Sequence, residues 1–427
     1  MSTNAQDLKK ALEIGRPPNI QRLFPSSNAL IVSGEVIDCA MHNKGQAIAI
    51  AANGRNIFIV LGTLLAAQRA SAAVIIEIAK SEGGQKPYCD INFWNIARTV
   101  DALCNQYKIT VPVAIHADHY SIKDDRDIEV AKIEIPTLFE AGLTSIAIDA
   151  SHMTNAENLM ANIELSSLIP RGLSYEGEVG EIKGADGLST VDEALFFIRG
   201  LNAHQIHTTW IALNNGTTHG IEPTDAGIQV DLTALIHAAL IDYGVSGAQH
   251  GTSGNSFERL RKIAKLTRTT KANVATALQM LGWGLLTDNL GNAQLDASGD
   301  LLKVPGEGVM ENVWGDMVAY ADSKGWRGND YKKLSLPFAN VLQAQPKEIR
   351  ERMVRRVEEF VFELITNVFN SADTAPLAVE AILKAESYDL GPRARRIEDP
   401  MEWTKAKIIE KAAALDTNSG PEGNFDD

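Results

Sequence analysis

The stretch "VPVAIHADHY", residues 111 to 120, begins with five apolar positions in a row and then turns polar. A run that is apolar at every position, and not at every second one, belongs to a strand buried on both faces, as in a parallel sheet. Working outward, seven more short runs, most of them rich in Val, Ile and Ala, read as strands of the same sheet. They are "AIAIA" (47–51), "AVIIEIA" (73–79), "TSIAID" (144–149), "LSYEGEV" (173–179), "TTWIAL" (208–213), "GVSGAQ" (244–249) and "KANVA" (271–275). Longer segments of helical pattern separate them, among them "EVAKIEIPTLFEAG" (129–142) and "SFERLRKIAKLTR" (256–268). Strand and helix in alternation define βαβ units, and eight such units close a (β/α)8 TIM barrel. The competing architecture, an open doubly wound sheet, announces itself with a glycine fingerprint after the first strand. "ANGRN" (52–56) is not one. An α/β barrel with a C-terminal helical extension is therefore expected.

The rest of the chain falls around that barrel. Residues 1–45 read as an N-terminal cap, 46–285 as the catalytic barrel, 286–415 as a C-terminal loop and helical extension, and 416–427 as a disordered tail. "NLGNAQLDASGDLLKVPGEG" (289–308) has the composition of a turn-rich loop or small hairpin, and "PKEIRERMVRRVEEFVFELITNVF" (346–369) that of a strongly amphipathic helix.

Composition narrows the function. A formal net charge of −14 argues against a nucleic-acid surface. An anionic ligand must then be met locally, by backbone N–H groups or a metal. No window reaches the roughly 18 uninterrupted apolar residues of a membrane span. The first residues lack the pattern of a secretory signal. Cys39, Cys89 and Cys104 are unpatterned, which fits a reducing compartment without disulfides. A cytoplasmic protein without nucleic-acid or membrane partners is expected.

In a barrel the active site lies at the carboxyl ends of the strands. Three of the nine histidines fall there: His119 in "HADH", His219 in "ALNNGTTHG" and His250 in "AQHGTSG". A single histidine at a strand end more often bonds to its neighbours. Three at once fit a catalytic zinc site with an open fourth position. The glycines after His219 and His250 let backbone N–H groups approach an anion, as in barrel phosphate sites near the last two strands. His116 remains as a possible supporting partner.

Taken in order, "HADH", "YEGEVG", "GTTHG", "HGTSG" and "NVAT" resemble the class II, metal-dependent ketose-bisphosphate aldolases over about residues 45 to 280. The resemblance implies that His119, His219 and His250 hold Zn2+, with Glu178 an alternative ligand or its support. It implies Asp118 as the general acid/base. Gly220, Gly251, Ser253 and Thr276 would bind a phosphate, Asn273 an enediolate, and a monovalent cation (Na+ or K+) would lie near the phosphate. Asp186, Ser81 and Arg356 are further candidates. The implied activity is reversible cleavage of fructose 1,6-bisphosphate, or of tagatose bisphosphate, in glycolysis or related carbohydrate metabolism, by a homodimer or homotetramer. Two departures stand out. The loop "EVGEIKGADG" (178–187) is shorter than the family's, with Lys183 at a glycine position and Asp186 or Glu181 as substitutes for its acid. Tyr120 follows His119 where a small residue is usual, and is expected to narrow the mouth. Two rivals remain: a silent sugar-phosphate-binding barrel, and Schiff-base chemistry at Lys271, disfavoured because that residue starts its strand.

Overall fold

The computed structural model describes residues 4–180, 187–217, 227–252, 255–288, 292–296 and 301–415. The tail 416–427 lies outside them. Eight strands form a closed barrel in sequence order. They are β1 (Ala49–Asn53), β2 (Val74–Ala79), β3 (Val113–Ser121), β4 (Ser145–Asp149), β5 (Ser174–Val179), β6 (Trp210–Leu213), β7 (Ser246–Gln249) and β8 (Thr269–Val274). Every neighbouring pair is parallel, and β1 closes the ring on β8 with Ala49 opposite Lys271 and Ala51 opposite Asn273.

The continuous apolar runs follow from this closure. One set of alternating side chains (Ile50, Ile76, Ile115, Ile146) faces the surrounding helices, where it joins the main hydrophobic core. The other set turns inward. At the bottom of the barrel the inward residues are mostly small: Ala49, Ala51, Ala114, Ala212 and Ala248 cluster with Ile75 and Trp210. That layer is sealed from below by the helix Gly34–Lys44, which contributes Val36, Ile37, Ala40 and Met41 to the same cluster. Gly34 is needed for the close approach, since a Cβ there would collide with the Ser174 hydroxyl oxygen and the Trp210 ring. Higher up, the inward positions become titratable: Glu77, His116, Asp118, Glu176, Glu178 and Lys271 are all buried.

The segment read as a long amphipathic helix is a helix over Lys347–Glu363, followed by a wider turn at Leu364–Val368. It packs against the Ile57–Ala70 helix after β1 and the short Thr276–Trp283 helix after β8. A Cβ at Gly62 would meet the Val357 Cβ at 2.7 Å, so the glycine permits this tight crossing. The chain then returns to the barrel bottom, where Ile48 N–H donates to the Phe369 carbonyl at 2.9 Å. A final strap from the C-terminal segment pairs Arg393 with Asp38 and Glu398 with Arg199 (3.1 Å) and Arg396 (3.0 Å). In the expected turn-rich stretch, antiparallel bridges join Leu285 to Lys303, Thr287 to Ala293 and Leu295 to Leu301, a small hairpin arrangement. Among the described residues no helix is long and apolar enough to cross a membrane.

Two expectations need correction. β3 does not end at Ile115 but continues through Ser121, so "HADH" lies within the strand. Tyr120 does not face the mouth. It is buried in the outer core, 6.3 Å from the Phe93 ring, with its hydroxyl donating to Glu134 at 2.5 Å.

Candidate active site

The geometry begins with an irregularity in β3. Ala117 pairs with Ile146 and Tyr120 with Ile148, so Asp118 and His119 together stand opposite the single residue Ala147. This is a β-bulge, the device that re-aims a side chain next to a site. His119 adopts φ +40°, a left-handed conformation that is strained for a residue with a Cβ. The bulge lets two consecutive residues contribute to one interior: Asp118 by the normal alternation, His119 by the kink.

Other strands converge on the same place. At the top of β5, Glu176 and Glu178 are two apart and share the inward face. The Glu178 carboxylate lies 3.1 Å from His119 Nδ1, and Asp149 at the end of β4 lies 3.5 Å from the same nitrogen. His250 follows β7, with its ring centroid 4.2 Å from that of His119 and the planes at 81°. Its Nε2 is 2.8 Å from Glu176 Oε1, while its Nδ1 is turned to Glu178 at 3.9 Å. From β8, Asn273 Nδ2 donates to Asp118 Oδ1 at 2.8 Å.

These donors fit a metal ion. Ligand atoms of Asp118, His119 and His250 lie within 4.8 Å of one another, as do those of His119, Asp149 and Glu178 and those of Glu176, Glu178 and His250. Burial, reinforced by Asp149, pushes the Glu178 carboxyl up to about 8. A carboxylate confined this way gains most from a neighbouring divalent charge. Burial opposes charge on His119, but Glu178 and Asp118 outweigh it and raise its pKa well above the usual imidazole value. Burial also opposes charge on Asp118, yet His119 and Lys271 bring it down to about 2, so it is present as the carboxylate.

Lys271 departs from expectation. It starts low on β8, but its side chain extends up the interior. The ammonium reaches 2.9 Å from Glu176, 3.3 Å from Glu77 and 3.6 Å from Asp118. Burial disfavours its charge, but Glu176 and Glu77 overcome this and raise its pKa, the opposite of the lowered pKa that activates an imine-forming lysine.

The remaining candidates divide. Gly251 follows His250 at φ +61°, a value glycine adopts freely. Thr252, next in the chain, donates its hydroxyl to the Asn273 carbonyl, tying the β7 loop to β8. Thr276 opens the helix after β8. Ser81 sits half-buried in the short Lys80–Gly83 helix after β2. Arg356 is apart from this group, on the outer Lys347–Glu363 helix, where it pairs with Glu307 at 3.7 Å. His219, Gly220, Ser253 and Asp186 lie outside the described residues, as does Glu181. Sequence reading missed Glu77, Asp149 and Glu176 and misplaced Lys271. Glu176 was visible as the same-face neighbour of Glu178, and Glu77 as a charge inside an apolar strand.

A closed barrel with an acid and two imidazoles gathered at its mouth defines a lyase class when set beside known proteins. Residues 35–363 match the family described as class-II fructose-bisphosphate aldolase, and the chain belongs to it; it is an aldolase, a carbon–carbon lyase. Similar proteins include the fructose-bisphosphate aldolase of Streptococcus pneumoniae (strain TIGR4), 31% identical over 264 residues that cover 58% of this chain and 80% of that one. The enzyme of the same name from Streptococcus pyogenes serotype M1 is 29% identical over 263 residues, with the same coverage of 58% and 80%. Among solved structures, the YdjI aldolase from Escherichia coli K12 superposes with a TM-score of 0.54 at 19% identity, covering 81% of this chain and 99% of that one. The fructose-bisphosphate aldolase of Campylobacter jejuni gives 0.52 at 18% identity, covering 81% and 97%. At these identities the solved structures speak to the fold alone.

Proposed function

We propose that this aldolase reversibly cleaves a phosphorylated ketose, fructose 1,6-bisphosphate first, to dihydroxyacetone phosphate and an aldehyde, with Zn2+ as its metal. The observation that carries this reading is the β3 bulge, which sets Asp118 beside His119 with His250 at 4.2 Å between ring centroids. His119 and His250, with His219, would hold the ion, and Glu178 would serve as an alternative ligand. Bound there, a divalent metal supplies Lewis-acid stabilisation of the enediolate left when the bond beside the carbonyl breaks.

The protein's own groups do the rest. Asp118, held as a carboxylate, takes the proton of the sugar hydroxyl during cleavage and returns it in the synthetic direction. Asn273 fixes that carboxylate by one oxygen and faces the position of the enediolate. Backbone N–H groups at Gly220, Gly251 and Ser253, with Thr276, would cradle the phosphate of an otherwise acidic protein, with a monovalent cation (Na+ or K+) beside it. Ser81 and Asp186 would contact substrate or move a second proton. Tagatose bisphosphate is the second substrate to try. A homodimer or homotetramer in the cytoplasm, working in glycolysis, completes the reading.

The test is a coupled-enzyme assay on fructose and tagatose bisphosphates with metal-loaded and chelator-stripped protein. Cleavage that disappears on stripping and returns with Zn2+ supports the reading. Full turnover by stripped protein overturns it. Inactivity of the loaded protein on both sugars favours a binding barrel.

A further inference from the structure

A lysine with no solvent exposure is costly unless its charge is closely matched. Lys271 is matched by Glu176 at 2.9 Å and also stands 3.3 Å from Glu77, whose carboxyl is pushed well above the usual range by burial and by Asp118; both acids are fully buried. Glu176 alone suffices for charge balance. The arrangement makes sense once the third contact is considered. The ammonium lies 3.6 Å from Asp118 Oδ1, the same oxygen that accepts from Asn273 Nδ2 at 2.8 Å. Lys271 and Asn273 are two apart on β8, so one strand face presents both groups to one carboxylate oxygen. Glu176 carries the second link, since its Oε2 meets the ammonium and its Oε1 lies 2.8 Å from His250 Nε2.

Glu77, His116 and Asp118 also bring ligand atoms within 4.8 Å of one another, a set that a cation suits. The ammonium of Lys271 already stands against two of the three. The protein thus supplies its own fixed cation directly beneath the candidate metal ligands.

We propose that Lys271 is a positioning residue of this active site. Its ammonium anchors Asp118 by Oδ1, leaving Oδ2 for the proton transfer, and steadies Glu176 so that Glu176 fixes the ring of His250. The inference rests on the proposed function for its consequence in turnover, but its consequence for metal binding can be read without substrate.

The experiment compares wild type with the double variant Lys271→Met/Glu77→Gln, which replaces the ammonium and the carboxyl group facing it at 3.3 Å by neutral groups of similar size. Both proteins are stripped and titrated with Co2+, following its visible absorption bands, and both are assayed at saturating metal. The expected result is a folded variant with Co2+ affinity weakened about 10–100-fold and altered bands, the range for losing a group that supports a ligand. At saturating metal its kcat falls by about 10²-fold while KM changes little. A variant with wild-type Co2+ affinity, unchanged bands and kcat within about threefold of wild type would make Lys271 a charge-balancing group only and overturn the proposal. The pair Lys271→Gln/Glu77→Gln is read by the same criteria if the methionine variant does not fold. Wild-type protein that binds Co2+ but cleaves no ketose bisphosphate would count against the function and leave the Co2+ comparison to decide this proposal.

Discussion

His250 Nε2 lies 2.8 Å from Glu176 Oε1, which commits one ring nitrogen to a carboxylate and turns the other toward Glu178. A histidine held through its far nitrogen is oriented and made more basic for a cation. Glu176→Ala is therefore expected to weaken metal binding about 10–100-fold, and Glu176→Gln less, because the amide oxygen can still accept from the ring. Competition with a chelator of known affinity measures both. Equal affinity in all three proteins would remove Glu176 from the site.

Asp118 is expected to matter for turnover and not for the metal. Asp118→Asn retains the shape of the carboxylate but cannot take a proton, so kcat should fall by about 10²-fold or more. The metal content of the variant should equal that of wild type. A variant that loses its metal would make Asp118 a ligand instead.

No imine is expected at Lys271. Its ammonium is fully buried and paired with Glu176 and Glu77, so borohydride reduction in the presence of substrate should leave the mass of the chain unchanged. A stable adduct on this residue would restore Schiff-base chemistry.

At the bottom of the barrel, burial raises the pKa of Glu35 to about 8, opposed by Arg393 and assisted by Asp38. The folded protein thus holds a proton that the unfolded chain releases near the ordinary carboxyl value. That contribution is intact below about pH 4.5 and is lost as pH rises through 8. Glu35→Gln should match wild type near pH 5 and exceed it at pH 8.5. Since the residue keeps some exposure, the gain is about 1–2 kcal/mol, a few degrees in Tm. Thermal melts across this range check it, and a constant offset at all pH values would contradict it.

The barrel was legible because burial on both faces leaves apolar residues at most positions of its strands. All eight strands fall where the apolar runs lie. Their ends were less legible for a physical reason. A barrel mouth lined with partnered charges looks, in one dimension, like a loop, so "HADH" read as the exit from β3 when it is the bulged centre of the site. The bulge also explains Tyr120: one inserted residue reverses the facing of everything beyond it. Lys271 was misjudged because a long side chain carries its charge well up the interior from its own backbone. Glu176 needed only the two-residue period of a strand applied to Glu178.

The proposed mechanism depends most on a shared ion between His119 and His250. Elemental analysis of purified protein, stripped and reloaded with Zn2+, measures it directly. About one equivalent per chain is expected in wild type, falling steeply in His119→Ala and in His250→Ala, with circular dichroism unchanged. Folded variants that both retain the full equivalent would contradict it.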